Sequence, residues 1–243
     1  MVFTAVAQAQ KDAPPVLALS FDEGTGKTAK DASGNGLDGS ITGATWVTGK
    51  HGQTLDFNGV DDGVVVSDDP LLLLPDAGTL MAWSYVHTEA GHASWPRIII
   101  KAGSNGGTTG MDLLFDRGLG YGLRFCIVDC DTIFSPLPTD VWMHLAVTYY
   151  GTDIYAYVDG EEVGTVPQRG AALDTSGFDL HIGTGAAFDR PFDGVHDEVR
   201  IWDVPLDADT VRWHMDQSTT DFLAVQPGGK SATTWAAVKS ATR

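Results

Sequence analysis

Cysteine is nearly absent from this chain of 243 residues, which carries only Cys126 and Cys130. Two are too few for a disulfide-built scaffold or for a tetrahedral zinc site. In register on one straight strand they would lie roughly 13 Å apart, beyond bridging distance. A turn at Val128-Asp129 would let them meet across a hairpin, and two free buried thiols are the alternative. Basic residues are scarce too, 15 against 32 acidic ones, for a formal charge of −17. That excludes nucleic acid and anionic membrane surfaces as partners, since both need basic patches. No run reaches the ~20 apolar residues of a membrane helix, so membrane insertion is excluded for helices. G-x-S-x-G, H-E-x-x-H and phosphate-cradling glycine loops are all missing.

What the chain has is glycine, 29 residues of it, set between short alternating runs. Val16 to Asp22, Leu55 to Asn58 with Val64 to Val66, Thr79 to Thr88, Arg97 to Lys101, Met111 to Asp116, Tyr121 to Val128, and the meander Trp142 to Val166 all read as strands. Asp159-Gly160 is the strongest hairpin signal. Asp207 is placed to cap a short helix ending at Met215. About a dozen strands with turn residues between them predict an all-β fold. Its expected form is a two-sheet antiparallel sandwich of the jelly roll kind, with one short C-terminal helix.

The domain is expected over 14–218. Residues 1–13 read as a leader outside the fold, either a signal-peptide remnant with Ala-x-Ala pairs or a disordered start; the former implies a secreted or cell-surface protein. From Thr219 to Arg243 the chain reads as linker and tail, which suits a module joined to neighbouring domains of a larger surface protein.

The stretch Asp193 to Trp202 poses the sharpest chemical question. Strict alternation puts Val195, Asp197, Val199 and Ile201 on one face, and His196, Glu198, Arg200 and Trp202 on the other. A carboxylate among core residues needs neutralisation. Asp197 therefore requires a metal ion, a basic residue or backbone amides. On this reading Glu198 and Arg200 form a surface pair. The loop Asp31 to Gly36 is rich in glycine and Asn35, tolerates positive φ, and turns carbonyl oxygens together.

Four segments carry a family resemblance. They are Phe21-Asp22-Glu23-Gly24 with Asp31-x-Ser33-Gly34-Asn35-Gly36; Gly49-x-x-Gly52-x-x-Leu55-x-Phe57-x-Gly59-x-Asp61-Asp62; Trp142-x-His144 through Tyr157-Val158-Asp159-Gly160; and Phe192-Asp193-Gly194-x-x-Asp197-Glu198-Val199-Arg200-Ile201-Trp202. In this order, from about Val16 to Gln217, the chain resembles the laminin-G-like, concanavalin A-like jelly roll domains of bacterial extracellular proteins, distant relatives of the pentraxins. The resemblance implies a structural calcium ion held by Asp22, by Ser33, Asn35 and Gly36 of the loop, and by Asp197. Amides of the same loop holding Asp197 without an ion are the alternative. The loop 183–189 has a single acid, Asp189, which argues against a pentraxin-type double calcium site.

The fold hosts lectins, adhesion modules, lyases and glycosidases, so the resemblance leaves function open. Asp112 and Asp116 share a strand face roughly 13 Å apart, too far for a glycosidase pair. A non-catalytic lectin-like module binding a glycan or a cell-surface glycoprotein is the expected function. Its ligand-binding residues are expected to be Trp95, Tyr121, Arg124, Phe188 and Asp189, exposed aromatics and polar groups on loops and a hairpin. An adhesion module recognising protein is the first alternative, and a polysaccharide lyase or glycosidase the second.

Overall fold

The computed structural model describes residues 10–88, 93–103, 110–127, 130–168 and 175–224. Among them are sixteen strands: β1 (Leu17–Leu19), β2 (Thr28–Ala29), β3 (Gly39–Thr42), β4 (Thr45–Thr48), β5 (Gln53–Asn58), β6 (Gly63–Val66), β7 (Ala77–Val86), β8 (Arg97–Ala102), β9 (Gly110–Asp116), β10 (Gly122–Cys126), β11 (Cys130–Phe134), β12 (Trp142–Tyr150), β13 (Asp153–Val158), β14 (Glu161–Pro167), β15 (Leu180–Ile182) and β16 (Asp193–Trp202). They form two antiparallel sheets, ordered β14-β13-β12-β7-β16-β5-β4, with β1 beside β16, and β11-β10-β9-β8-β15-β6-β3-β2. Two helices follow, α1 (Ala208–Met215) and α2 (Thr219–Ala224). The expected β-sandwich is the observed one.

Alternation decides what lies between the sheets. Met111, Leu113 and Phe115 of β9 enter the main core together with Leu80 and Ala82 of β7 and Val199 and Ile201 of β16. Their neighbours therefore point away from the core. A smaller cluster of Met81, Ala146, Trp202, Val204, Leu206 and Val211 packs on the far face of the first sheet, where α1 covers it. Asp207 caps α1 by accepting a hydrogen bond from Thr210 N at 2.8 Å, as its side-chain chemistry predicts.

Both expected boundaries move outward. Ala13 is buried in the smaller cluster, its carbonyl accepts from Trp202 Nε1 at 3.0 Å, and Gln10 Nε2 donates to Pro205 O. Residues 10–13, expected outside the fold, thus close one side of it. At the other end Thr219 to Ala224, expected as linker, is the second helix, with Phe222 fully buried. The tail expected at Ser231 to Arg243 lies outside the described residues, as do residues 1–9 and the turn residues Val128 and Asp129. Cys126 and Cys130 are directly paired across β10 and β11 and joined by a disulfide.

The alternation expected for β16 fails at one residue. Glu198 has φ +54°, and the register against β7 jumps there, from Asp197 opposite Trp83 to Arg200 opposite Met81. The extra residue of this β-bulge reverses the facing of everything beyond it. His196 stacks on Phe192 at 3.9 Å between ring centroids and also meets Phe57, so it faces the core. Val199 and Ile201 face the core as well. Asp197 consequently does not share a face with them; it lies on the outer side of the sheet.

Candidate functional site

Asp197 is fully buried although it faces outward. The cover is the turn from Gly49 to Gln53: His51 N donates to Asp197 Oδ2 at 2.9 Å. Glycine is needed at the turn's start, since a Cβ on Gly49 would lie 2.6 Å from that oxygen and 2.8 Å from Thr54 Cβ. Asp22 grips the same turn from its other end, accepting from Gln53 N at 3.1 Å, and a Cβ on Gly52 would collide with Asp22 Oδ1. Two carboxylates far apart in the sequence, Asp22 and Asp197, thus clamp one turn. Asp197 Oδ1 has no hydrogen-bond partner among the described residues. Burial is the main cause that pushes this carboxyl up to about 7.

The loop expected to complete that set is organised differently. Asp31 holds it, accepting from Ala18 N, Ser33 N, Ser33 Oγ and Leu37 N. Ser33 Oγ and Asn35 Nδ2 both reach Val16 O, the amide donating at 2.8 Å. Gly36 takes φ +76°, a left-handed conformation that suits glycine. Among the described residues no three His, Cys, Asp or Glu side chains gather as a metal-ligating group. A cation at the clamp would have the Asp22 and Asp197 carboxylates as side-chain ligands. Carboxylate oxygen suits calcium, and Asp197 Oδ1, without a hydrogen-bond partner among the described residues, is the atom that fits it best.

The second locus is on the other sheet. Because Met111, Leu113 and Phe115 go inward, Asp112, Leu114 and Asp116 point out. Arg124 stands opposite Leu114, and so does Arg97 from the other side. Arg97, 2% exposed, sets its Nη2 2.8 Å from Asp112 Oδ2. The approach is off-axis, and neither Asp112 oxygen accepts a directed hydrogen bond among the described residues. Burial raises the Asp112 carboxyl to about 7 against the pull of Arg97, Arg190 and Arg124. Arg97 Nη1 donates to Trp95 O at 2.7 Å, and Arg97 N to Arg190 O. Arg97 therefore positions both backbones, that of Trp95 through its buried guanidinium and that of Arg190 through its own amide.

Those two residues meet. The Arg190 guanidinium carbon lies 4.8 Å from the Trp95 ring centroid, while Trp95 stays 39% exposed. Asp116 completes the wall, accepting from Arg124 Nη1 at 2.8 Å and from Gly118 N at 3.0 Å. Arg117 N donates to Ser94 O, which ties the turn to the Trp95 loop. Ser94, Trp95, Asp116, Arg117 and Gly118 line an open groove of about 380 Å³.

The five expected ligand-binding residues divide. Trp95 lines the groove, Arg124 supports it through Asp116, and Asp189 lies 4.0 Å from Arg190 at its edge. Tyr121 instead turns edge-on to Phe115 at the rim of the core, and burial raises its hydroxyl pKa. Phe188 sits edge-on to His181 and against Gly63. Arg117 in the groove lining, and Arg97 and Arg190 at Trp95, are residues that no motif marked. The parity of Asp112 and Asp116 on one strand was visible; their arginine partners depend on cross-strand register.

A family model described as the concanavalin A-like lectin/glucanases superfamily, Laminin_G_3, matches residues 58–212. Solved structures share the fold at low identity. Domain 4 of AbnA, an extracellular GH43 arabinanase from Geobacillus stearothermophilus in complex with arabinotriose, aligns at TM-score 0.67 and 20% identity over 84% of this chain and 99% of that one. The binding domain of Paraclostridial Mosquitocidal Protein 1 aligns at 0.65 and 16%, over 85% of this chain and 52% of that one. Trypanosoma rangeli sialidase with the inhibitor DANA aligns at 0.61 and 16%, over 82% and 32%. This chain thus spans about half of the second and a third of the third. No curated protein sequence matches.

Proposed function

This chain belongs to the concanavalin A-like lectin/glucanases superfamily, and on that premise we propose that it is a non-catalytic, carbohydrate-binding module of a secreted or cell-surface protein. The observation that carries the reading is the Trp95 groove. An exposed indole beside an open cleft gives a sugar ring an apolar face to stack on, with the polar groups of Ser94 and Asp116 beside it for hydroxyls. The complex of the similar arabinanase domain with arabinotriose supports a glycan as ligand. Against catalysis, Asp112 and Asp116 each face an arginine and stand roughly 13 Å apart along a regular strand, outside glycosidase spacing.

A structural calcium ion at the clamp belongs to the same reading. Asp22 and Asp197 would hold it with carbonyl oxygens, and the ion would neutralise a buried carboxylate while fastening the start of the domain to β16.

Isothermal titration with arabino-, galacto- and uronate oligosaccharides tests the binding function. Trp95→Ala should abolish binding without changing the melting temperature. Unchanged binding by this variant would move the site elsewhere, and release of reducing sugar would establish catalysis. Protein adhesion is the second reading, which binding to glycoproteins after complete deglycosylation would support.

A further inference from the structure

Eight arginines occur in the chain, and four of them gather around Trp95 and its groove: Arg117 lines it, Arg124 bonds the lining residue Asp116, and Arg97 and Arg190 contact Trp95. This is a local concentration of positive charge on a protein of net charge −17. Not all of it is compensated. Arg97 and Arg124 have Asp112 and Asp116 as partners, each at 2.8 Å. Arg190, with a side chain 24% exposed, has its nearest described carboxylate, Asp189, at 4.0 Å, the outer limit of an ion pair. Two buried guanidinium donors, Arg97 Nε and Arg124 Nε, have no partner among the described residues. Arg190 is nevertheless held in place, by its stacking on Trp95 and by the hydrogen bond from Arg97 N to its carbonyl.

Resting on the carbohydrate reading above, we propose that the groove selects an acidic sugar unit, a uronic- or sialic-type residue whose ring packs on Trp95 and whose carboxylate is taken by Arg190 beside that ring. A guanidinium presents two parallel N–H donors that match a carboxylate, and its planar face stacks on an aromatic ring at the same time. A held guanidinium loses less freedom on binding than a mobile one. The acidic remainder of the surface does not cancel this attraction at contact range, because charges beyond about 8 Å are screened at physiological salt. It does oppose anions at other sites, which confines an acidic chain to this locus.

The test is titration of the protein with tetragalacturonate and its full methyl ester, with sialyllactose and lactose, and with a sulfated neutral tetrasaccharide. At least one carboxylated ligand should bind about tenfold tighter than its uncharged counterpart, one directed charge pair's worth. The two pairs show whether uronic or sialic units are preferred. Arg190→Gln should reduce the acid's affinity to that of its counterpart. Arg190→Lys keeps the charge but not the fork, and should lose most of the discrimination while still binding salt-sensitively. Melting curves of both variants report that the fold is kept. Equal affinity for acid and neutral counterpart, equal preference for the sulfated sugar, or full discrimination by Arg190→Gln would overturn the proposal and leave carbohydrate binding intact. Binding of no sugar at all would overturn both.

Discussion

Glu198 and Arg200, two residues apart on β16, close on a single hydroxyl, that of Thr219. Arg200 Nη2 donates to Glu198 Oε2 at 2.6 Å, Arg200 Nε donates to Thr219 Oγ1 at 2.8 Å, and that hydroxyl donates to Glu198 Oε2. Thr219 N adds a bond to the same carboxylate, and Arg200 also reaches His214 O and Gln217 O. Both charged side chains are at most 2% exposed. The pair expected on the surface is instead the clasp that fastens α2 to the sheet.

Removing one partner from this clasp leaves the other charge buried. Glu198→Ala should cost about 3–5 kcal/mol of unfolding free energy, and Thr219→Val about 1–3 kcal/mol. Denaturant titration measures both. Ending the chain at residue 218 should destabilise it comparably to Thr219→Val or more, since it removes the hydroxyl and buried Phe222 together. A fully stable truncation would show that the domain ends before α2.

His214 predicts an acid sensitivity. It packs among Trp202, Trp213 and Phe222, and neither ring nitrogen has a partner among the described residues. Burial, and next the charges of Arg200, His144 and Lys11, lower its pKa to about 3. The unfolded chain then binds a proton that the folded one refuses, so stability falls as pH drops from about 6.5 toward 3. His214→Phe should flatten that slope by about 1.4 kcal/mol per pH unit. Comparing both proteins at pH 7 and pH 5 cancels the packing change; parallel losses would rule the effect out.

Chelation tests the clamp. If calcium joins Asp22 and Asp197, EDTA should lower the melting temperature and excess calcium restore it. Asp197→Asn should melt lower than wild type and lose its response to EDTA. Elemental analysis finding no metal, with a melting curve indifferent to EDTA, would leave the amides of the turn as the carboxylate's sole neutralisers.

The disulfide between Cys126 and Cys130 closes a very short loop. The chain-entropy relation assigns such a loop about 2 kcal/mol. Its effect should reach the groove as well, because Arg124 Nη2 donates to Cys130 O at 3.2 Å. Cys126→Ser with Cys130→Ser should lower stability by about that amount and weaken sugar binding more than it alters the rest of the fold, as judged by titration and circular dichroism.

Much of the architecture was legible in the order of residues. Period-two alternation, Asp159-Gly160 and the Asp207 cap are local signals, and local signals survive folding when the tertiary context agrees with them. The β-sandwich, the meander and the first helix follow from them, and so does Trp95 as an exposed aromatic in a loop. What the sequence could not reveal depends on contacts distant along the chain. One residue in a left-handed conformation, Glu198, moves Asp197 off the core face, because an inserted residue inverts parity across the bulge, and Thr219 with the backbone of His214 and Gln217 covers Glu198 and Arg200 as a buried clasp. The same holds for the arginines at the groove. Each looked ordinary on its own strand or loop, and only the register of β8, β9 and β10 and the return of the 184–192 loop brought them around one indole. Alternation is a property of neighbours and can be read from a sequence; the partner across a sheet is set by pairing, and that only the folded chain decides.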